Sequence, residues 1–318
     1  MLKKYAYFLG LTLALAGCAS TRPAPRLQVA AGYCDPPLPY RYDPAYSPKP
    51  DLEAALTPAL LARYPRRNLL TANAAGILPQ LQALLALEDA ARQHPGPATE
   101  VAVLRQRQRI AAQVALVSTT VASVAAELDC EGERADQVAG YLSEQDSRRT
   151  QRLNVLSISI GAASGIGTTV ISNTPGQYAF GIGGGLLAAG LGLLTLTGSH
   201  SAEFLHPRNL LADVWGEKPT SELFPPSVWY LLTEPAFSNS GKTALAHNTR
   251  QRWEHYGQLA HPDTKEGKQL AALLFGTGGK YSADQLTVRA SMLNELQSAV
   301  RLLNQELQGL QLALNEPR

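Results

Sequence analysis

The chain has 318 residues, of which 28 are lysine or arginine and 26 are aspartate or glutamate, and its formal net charge is +2. Such a small surplus excludes the strongly basic surface on which nucleic-acid binding depends. Apolar residues recur at helical spacing through most of the chain, so we predict an all-α fold with long coiled-coil-like helices and a glycine-rich apolar helical hairpin.

Residues 1–17 have the order of a bacterial export signal, with Lys3 and Lys4 ahead of a short apolar run and small residues. They lead into Leu15-Ala16-Gly17-Cys18, which resembles the lipobox of bacterial lipoproteins; the resemblance covers the first 18 residues. It implies cleavage before Cys18 and attachment of lipid to that cysteine. Ala19, rather than aspartate, implies an outer-membrane anchor facing the periplasm. The alternative is an ordinary signal peptide with a chance cysteine.

Two cysteines, Cys34 and Cys130, would remain after cleavage. In an oxidising compartment an even number of cysteines favours disulfide formation, so we predict a bond between these two. The bond would fix where the spacer leaves the body, and so how far the hairpin stands from the lipid anchor. Asp129 and Glu131 disfavour a reactive thiolate at Cys130. Two unpaired thiols are the alternative.

Residues 18–50 are predicted to be a lipid anchor and a proline-rich spacer, because this composition favours extended chain over packed structure. Residues 51–152 are predicted to be helical, with helices over 51–64 and 77–93, a break at 94–97 and a long helix from about Thr99 to Arg149. The long helix carries an apolar seam that alternates steps of four and three and is interrupted only at Glu131. The seam consists of Ile110, Val114, Val117, Val121, Val124, Leu128, Ala135, Val138 and Leu142.

Residues 153–197 are predicted to form the hairpin. Two glycine-rich apolar arms flank a polar turn at Pro175 and Gly176, and no charged residue occurs between Leu153 and Leu196. Each arm has roughly the 20 residues that cross a bilayer as a helix. Small residues at four-residue spacing share one helical face, where two backbones can approach closely. We predict close packing at Gly161, Gly165, Gly181, Gly185 and Ala189.

The small-residue spacing of the arms is similar to that of the glycine-zipper hairpins of some bacterial envelope lipoproteins. The resemblance is confined to the two arms and implies insertion into a bilayer, or into an assembly that crosses one. In the alternative interpretation the arms are the buried centre of a soluble helical body, since a helix that is apolar all round must be buried in lipid or in protein. Arg148, Arg149 and Arg152 precede the first arm.

Residues 198–281 are predicted to be short helices and loops, with helices near 243–256 and 265–274 and no β-hairpin signal. Residues 282–318 are predicted to form a C-terminal coiled-coil-like helix, begun by a capping box of Ser282 and Gln285. Its seam, interrupted at Arg289, should pack on the seam of the long helix, within one chain or between copies. The seam consists of Leu286, Leu293, Leu296, Val300, Leu303, Leu307, Leu310 and Leu314.

Two motifs were tested for chemistry. The segment from Ala236 to Thr243 only loosely matches a phosphate-binding loop, because alanine replaces the first glycine and no clear strand precedes it. His200, Glu203 and His206, spaced by three, could face zinc from one side of a helix, but a structural zinc site usually has four ligands. No GxSxG sequence is present. We therefore expect no catalytic residue, metal or cofactor.

Together these patterns favour a non-enzymatic, lipid-anchored envelope protein that acts as a structural or assembly component. It would engage a membrane or a partner complex through the hairpin and the coiled-coil faces. A protein partner or self-association is expected, and nucleic acid is not. One alternative is a soluble periplasmic binding module whose hairpin is its own core. Another is an exported hydrolase, for which the sequence offers no positive feature.

Overall fold

A computed structural model describes residues 30–36, 42–171, 174–196, 198–255, 259 and 261–316. The predicted signal peptide and Cys18 lie outside the described residues. The all-α prediction is confirmed, since 75% of the structure is helical and strand is almost absent.

The helices are numbered here in chain order. They are α1 Pro58–Arg63, α2 Arg66–Ala74, α3 Leu78–Gln93, α4 Pro97–Val170, α5 Thr174–Leu196, α6 Leu210–Trp215, α7 Pro226–Thr233, α8 Leu245–His255, α9 Lys265–Phe275 and α10 Ala283–Asn315. Two strands, β1 Ser201–Leu205 and β2 Gly278–Ser282, form an antiparallel pair in which Ser201 lies opposite Ser282. Single 3-10 turns occur at Pro44–Tyr46, Glu53–Ala55 and Pro235–Phe237.

Helix α4 continues far beyond its predicted end near Arg149. It runs without a break for 74 residues, which corresponds to roughly 110 Å at the rise of an α-helix. No proline occurs between Pro97 and Pro175, and the isolated glycines each weaken a helix by only about 1 kcal/mol. As a result, one helix forms both the central helix of the folded body and the first arm of the hairpin.

The body is held together by α10 packed along the N-terminal part of α4 within one chain. The two predicted seams are the packed faces: every named residue from Ile110 to Leu142 and from Leu286 to Leu310 is buried, and Leu314 is partly buried. Helices α2 and α7 pack against α10 and against each other, and α3 packs against α4. The capping box of Ser282 and Gln285 is present at the start of α10.

The two charges that interrupt the seams are buried and have partners. Glu131 forms a 2.7 Å ion pair with Arg134, whose guanidinium also donates to the carbonyl of Leu205 at 3.0 Å. Arg289 donates to the carbonyl of Leu274 at 2.8 Å and to Oδ1 of Asn209 at 3.3 Å. The charges therefore fasten the strand pair and the end of α9 to the long helices.

The strand pair was not predicted. Its two strands lie far apart in the sequence, so no short turn joins them and no local hairpin signal exists. Residues 278–282 were expected to belong to a glycine loop. Gly278 adopts a φ of +105°, and a Cβ at this position would overlap the carbonyl of Phe204. Glycine is therefore required where the strands meet.

The end of the predicted spacer is bound to the body. The backbone N–H of Lys49 donates to Oδ1 of Asn73, and the Asn73 amide donates back to the carbonyl of Lys49, both at 2.9 Å. Farther toward the N terminus, Cys34 and Cys130 lie at disulfide-bonding distance, with their Cα atoms 5.6 Å apart. The spacer is thus held at two points, and the second of these is on α4.

Candidate membrane-insertion site

The hairpin, residues 153–196, is exposed and does not form the core of the body. Helix α5 folds back along the C-terminal arm of α4, and none of the side chains in its apolar stretch Thr174–Thr195 is buried. This stretch contains a window long and apolar enough to cross a membrane, whereas the corresponding window of α4 is 39% buried within the structure. The interpretation of the arms as the chain's own buried centre therefore does not fit the structure.

The outer surface of the hairpin is formed by large apolar side chains. Twelve of them are exposed among the described residues: Val155, Leu156, Ile158, Ile166, Val170, Tyr178, Phe180, Ile182, Leu186, Leu187, Leu193 and Leu194. A typical soluble protein scatters exposed apolar residues singly, and a continuous apolar surface marks a site of interaction with a membrane or another protein.

The contact between the arms is made by small and hydroxyl-bearing residues. The hydroxyl of Ser157 donates to the carbonyl of Ala188 on the other arm at 2.9 Å. Gly184 lies against Ser164, and Gly167 lies against the ring of Phe180. Apart from Phe180, which is partly exposed and also reaches the contact, small residues lie inside and large apolar residues lie outside. This is the arrangement typical of helices packed within a bilayer, where lipid covers the outer surface.

Several polar side chains of the arms form hydrogen bonds within the hairpin. The hydroxyls of Ser164, Thr168, Thr169 and Thr195 each donate to a backbone carbonyl three or four residues earlier, at 2.6–2.8 Å. At the tip, the side-chain amide of Gln177 donates to the carbonyl of Ile171, the residue that ends α4, at 2.8 Å. Hydrocarbon offers no hydrogen bonds, so such internal pairing is what a membrane-inserted segment requires.

Of the glycines predicted at the contact, Gly181 faces the other arm: a Cβ there would lie 3.4 Å from Cγ2 of Thr168. A Cβ at Gly161, Gly165 or Gly185 would meet no neighbouring atom within 4 Å, whereas Gly184 and Gly167, which were not predicted, are in close contact with the other arm. Ala189 is exposed. The arms contain several overlapping sets of small residues, and neighbouring helical positions differ by about 100° in direction. Spacing alone therefore did not select the set that faces the other arm.

Adjacent glycines offer a matched test of this contact. Gly184→Leu should separate the arms, because even a Cβ there would overlap the Ser164 hydroxyl, whereas Gly185→Leu points into open space and should leave the hairpin intact. The distance between spin labels on the two arms, measured by electron paramagnetic resonance in detergent, should increase only for Gly184→Leu. An equal effect of both substitutions would contradict the observed helix register.

With this geometry described, the chain can be compared with known proteins. No family model matches it. Nor does any curated protein or solved structure show significant similarity to the chain. The function is therefore inferred from the chemistry of the hairpin and its surroundings.

Three arginines lie close together on α4 at the base of the hairpin. We call Arg148, Arg149 and Arg152 the arginine collar. Arg149 donates to the carbonyls of Gly198 and Leu194 and so ties the end of α5 to α4. Arg148 forms an exposed ion pair with Glu144, and Arg152 is exposed. Positive charge thus lies directly where the apolar surface begins, which is where phospholipid headgroups would meet an inserted hairpin.

The two motifs considered for chemistry gain little support in the described residues. The segment from Ala236 to Thr243 begins within the 3-10 turn Pro235–Phe237, after helix α7, whereas a phosphate-binding loop follows a strand. His200 pairs with Asp146 at 2.6 Å, at the entrance to strand β1, and His206 is buried at its exit. No group of three potential metal ligands occurs in the part of the chain that the structure describes.

The larger of two surface clefts, about 280 Å³ in volume, also lacks catalytic features. Its lining includes Leu84, Ile110 and Leu314 together with one charged side chain, Arg107. Arg107 forms a 2.6 Å ion pair with Glu88. A hydrolytic site would need convergent titratable groups facing a substrate, and this lining does not supply them.

Proposed function

We propose that this chain is a non-enzymatic, lipid-anchored protein of the bacterial envelope whose hairpin inserts into a lipid bilayer. The observation that carries the proposal is the distribution of side chains on the hairpin. Small and hydroxyl-bearing residues lie between the arms, large apolar residues face outward, and charge is absent from Leu153 to Leu196. The lipobox-like sequence at Cys18 supports the lipid anchor and, with Ala19, an outer-membrane location facing the periplasm.

The energetic argument depends on the size of the exposed surface. Transfer of one large apolar side chain from water to an apolar environment contributes about 1.5–3 kcal/mol. Twelve such side chains, even if each is only partly buried, represent on the order of 10 kcal/mol. That is comparable to the whole net stability of a typical domain, about 5–15 kcal/mol. Contact with lipid would remove a penalty that water imposes on the exposed hairpin.

The dimensions of the hairpin match a bilayer. The arm from Leu153 to Val170 and the helix from Thr174 to Thr195 correspond to roughly 27 and 33 Å at 1.5 Å per residue, and the hydrocarbon core is about 30 Å thick. The tip residues Thr174 and Gln177 are polar but uncharged, which keeps the cost of crossing low. The arginine collar would remain at the near surface and contact anionic headgroups.

Contact with protein inside the membrane is part of the same proposal. Gly161, Gly165 and Gly185 face outward with open space around them, and small residues on an outer face allow another helix to approach closely. A partner or a second copy of the chain could therefore cover part of the hairpin, with lipid covering the rest. The exported-hydrolase alternative gains no observation in its favour.

The proposal can be tested by extraction from membranes. A chain in which an ordinary cleavable signal peptide replaces residues 1–18 lacks the lipid anchor, and we expect it to remain in the membrane pellet after alkaline carbonate treatment. Adding Ile182→Glu and Leu186→Glu should release it, because a charge at the bilayer centre costs about 2.5–3.5 kcal/mol per residue.

The matched control uses an exposed leucine of the body. Leu302 is 52% exposed and Leu186 is 69% exposed, so Leu302→Glu introduces the same charge at similar exposure outside the hairpin. It should leave the unlipidated chain in the pellet. Complete solubility of the unlipidated chain without any hairpin substitution would disprove insertion.

A further inference from the structure

We infer that the lipid anchor and the hairpin enter the same membrane, and that the Cys34–Cys130 bond enforces this arrangement. The inference rests on the proposed function, in which Cys18 is lipidated and the hairpin inserts. In this arrangement the body cannot join two membranes while the bond is intact. Three positions along α4 carry the argument, namely the docking point of the spacer, the disulfide and the arginine collar.

The first step is the direction in which the spacer runs. Tyr42 and Tyr46 line a surface cleft of about 200 Å³ together with Leu116 and Val117 of α4. Cys34, eight residues earlier in the chain, is bonded to Cys130. Thirteen residues of α-helix separate Val117 from Cys130, roughly 20 Å. Followed toward the N terminus, the spacer therefore moves along α4 toward the hairpin.

The second step compares the remaining length of the chain with the distance to the hairpin. Cys130 lies 22 residues before Arg152, which corresponds to roughly 33 Å of helix. Residues 30–35 form a turn that holds Cys34 beside Cys130. Only the 12 residues from Cys18 to Ala30 can therefore extend, and they reach at most about 42 Å. An anchor on Cys18 reaches the plane of the arginine collar with roughly 10 Å to spare.

The third step considers a membrane at the opposite end of the body. Pro97, where α4 begins, lies 33 residues before Cys130, roughly 50 Å of helix. That distance exceeds the roughly 42 Å that the anchor segment can span. A membrane at the hairpin end lies within reach, so the bond allows the same-membrane arrangement and excludes the other.

The disulfide determines whether the anchor and the hairpin must share a membrane. With the bond, the N-terminal segment is held at Cys34; without it, the segment is held only at Tyr42. Without the bond, the chain would be free from Cys18 as far as Tyr42, and 24 residues reach about 80 Å. The distance from Val117 to Pro97 is only roughly 30 Å. An anchor on the unbonded chain could therefore lie in a membrane at either end of the body.

Fluorescence quenching in vesicles tests the inference. The lipidated, oxidised full-length protein, with a fluorescent unnatural amino acid at Ile182, is reconstituted into phosphatidylethanolamine–phosphatidylglycerol vesicles. Nitroxide phospholipid is then placed either in these vesicles or in a second, protein-free population. We expect quenching only by nitroxide in the vesicles that carry the protein. Quenching by the second population, with clustering of the vesicles, would overturn the inference. Absence of quenching in both cases would instead show that the hairpin does not insert, and would overturn the proposed function as well.

Shortening the anchor segment tests the role of the bond. Deletion of residues 21–29 leaves six residues between Cys18 and Cys34. Even fully extended, this segment reaches at most about 25 Å and falls short of the roughly 33 Å to the collar. Quenching by nitroxide in the same vesicles should be lost. Replacing residues 21–29 with a Gly–Ser segment of equal length should preserve it. Full quenching in the shortened chain would show that the bond does not hold the anchor segment.

Discussion

Replacing Leu303 with aspartate should lower the free energy of unfolding by roughly 4 kcal/mol or more. Leu303 is 1% exposed and lies in the α10 seam that packs on α4. The substitution removes a large apolar side chain and buries a carboxylate among apolar neighbours. Urea unfolding followed by circular dichroism should show a large shift of the midpoint to lower urea concentration.

The adjacent residue supplies the control. Leu302 is exposed, so Leu302→Asp places the same carboxylate one position away in water and should change the stability by about 0.5 kcal/mol or less. Any general effect of aspartate on helix α10 is common to both variants. Equal midpoints for the two variants would mean that the α4–α10 seam does not stabilise the body.

Acidification should destabilise the body through His206. Its Nε2 lies 2.8 Å from the hydroxyl of Tyr281, and that hydroxyl donates to the carbonyl of Leu273 at 2.7 Å. The imidazole must therefore donate from Nε2. Burial, with a contribution from the nearby charge of Arg289, lowers the pKa of His206 to about 3. Burial also raises the pKa of Tyr281 to about 12, so the phenol keeps its proton.

The sign of the pH effect follows from the two states of His206. In the unfolded chain the imidazole takes up a proton below its ordinary pKa of about 6.5. In the folded body it stays neutral until about pH 3. The unfolded state binds more protons in this window, so stability falls as the pH is lowered from about 6.5 toward 3. Each unit of difference in pKa is worth about 1.4 kcal/mol, and the whole window contributes roughly 5 kcal/mol.

A variant without the titrating ring separates His206 from other groups. His206→Gln retains an N–H donor for the Tyr281 hydroxyl and does not titrate. Carboxylates such as Glu127 titrate in both proteins, so only the difference between the two stability curves is informative. Between pH 6.5 and 3, the slope of that difference against pH should correspond to the uptake of up to one proton on unfolding. Parallel curves would contradict a buried neutral imidazole.

The sequence predicted those parts of the fold that produce a periodic pattern of apolar residues along the chain. The heptad-spaced residues of α4 and α10 identified the packed faces because burial of a helix repeats every three or four residues. Glu131 and Arg289 were visible as interruptions, and the spacing of three between Glu131 and Arg134 was visible too. The contacts of Arg134 with Leu205 and of Arg289 with Asn209 join different elements. Tertiary contacts, and not spacing along a helix, determine those pairs.

The predictions that differ from the structure concern choices among equivalent local patterns. Gly165 and Gly184 both belong to small-residue series, and only the packed hairpin shows that Gly184 faces the other arm. His200 precedes strand β1 and Glu203 lies within it, at a spacing that also suits a helix, and the pairing of β1 with β2 joins segments far apart in the chain. The end of α4 was placed too early because the composition changes from charged to apolar after the arginines, although no proline or cap interrupts the helix there.

The continuity of α4 from body to hairpin fixes the rotational phase between the two. Each residue of an α-helix advances the direction of side chains by about 100° and the position by only 1.5 Å. A single residue inserted near Gln151, between the α10 contact and the first arm, would change insertion depth very little. It would nevertheless turn the hairpin by more than a quarter of a revolution and present a different face to any neighbour in the membrane. The number of residues in this stretch therefore determines the angle about the helix axis between the hairpin and the body.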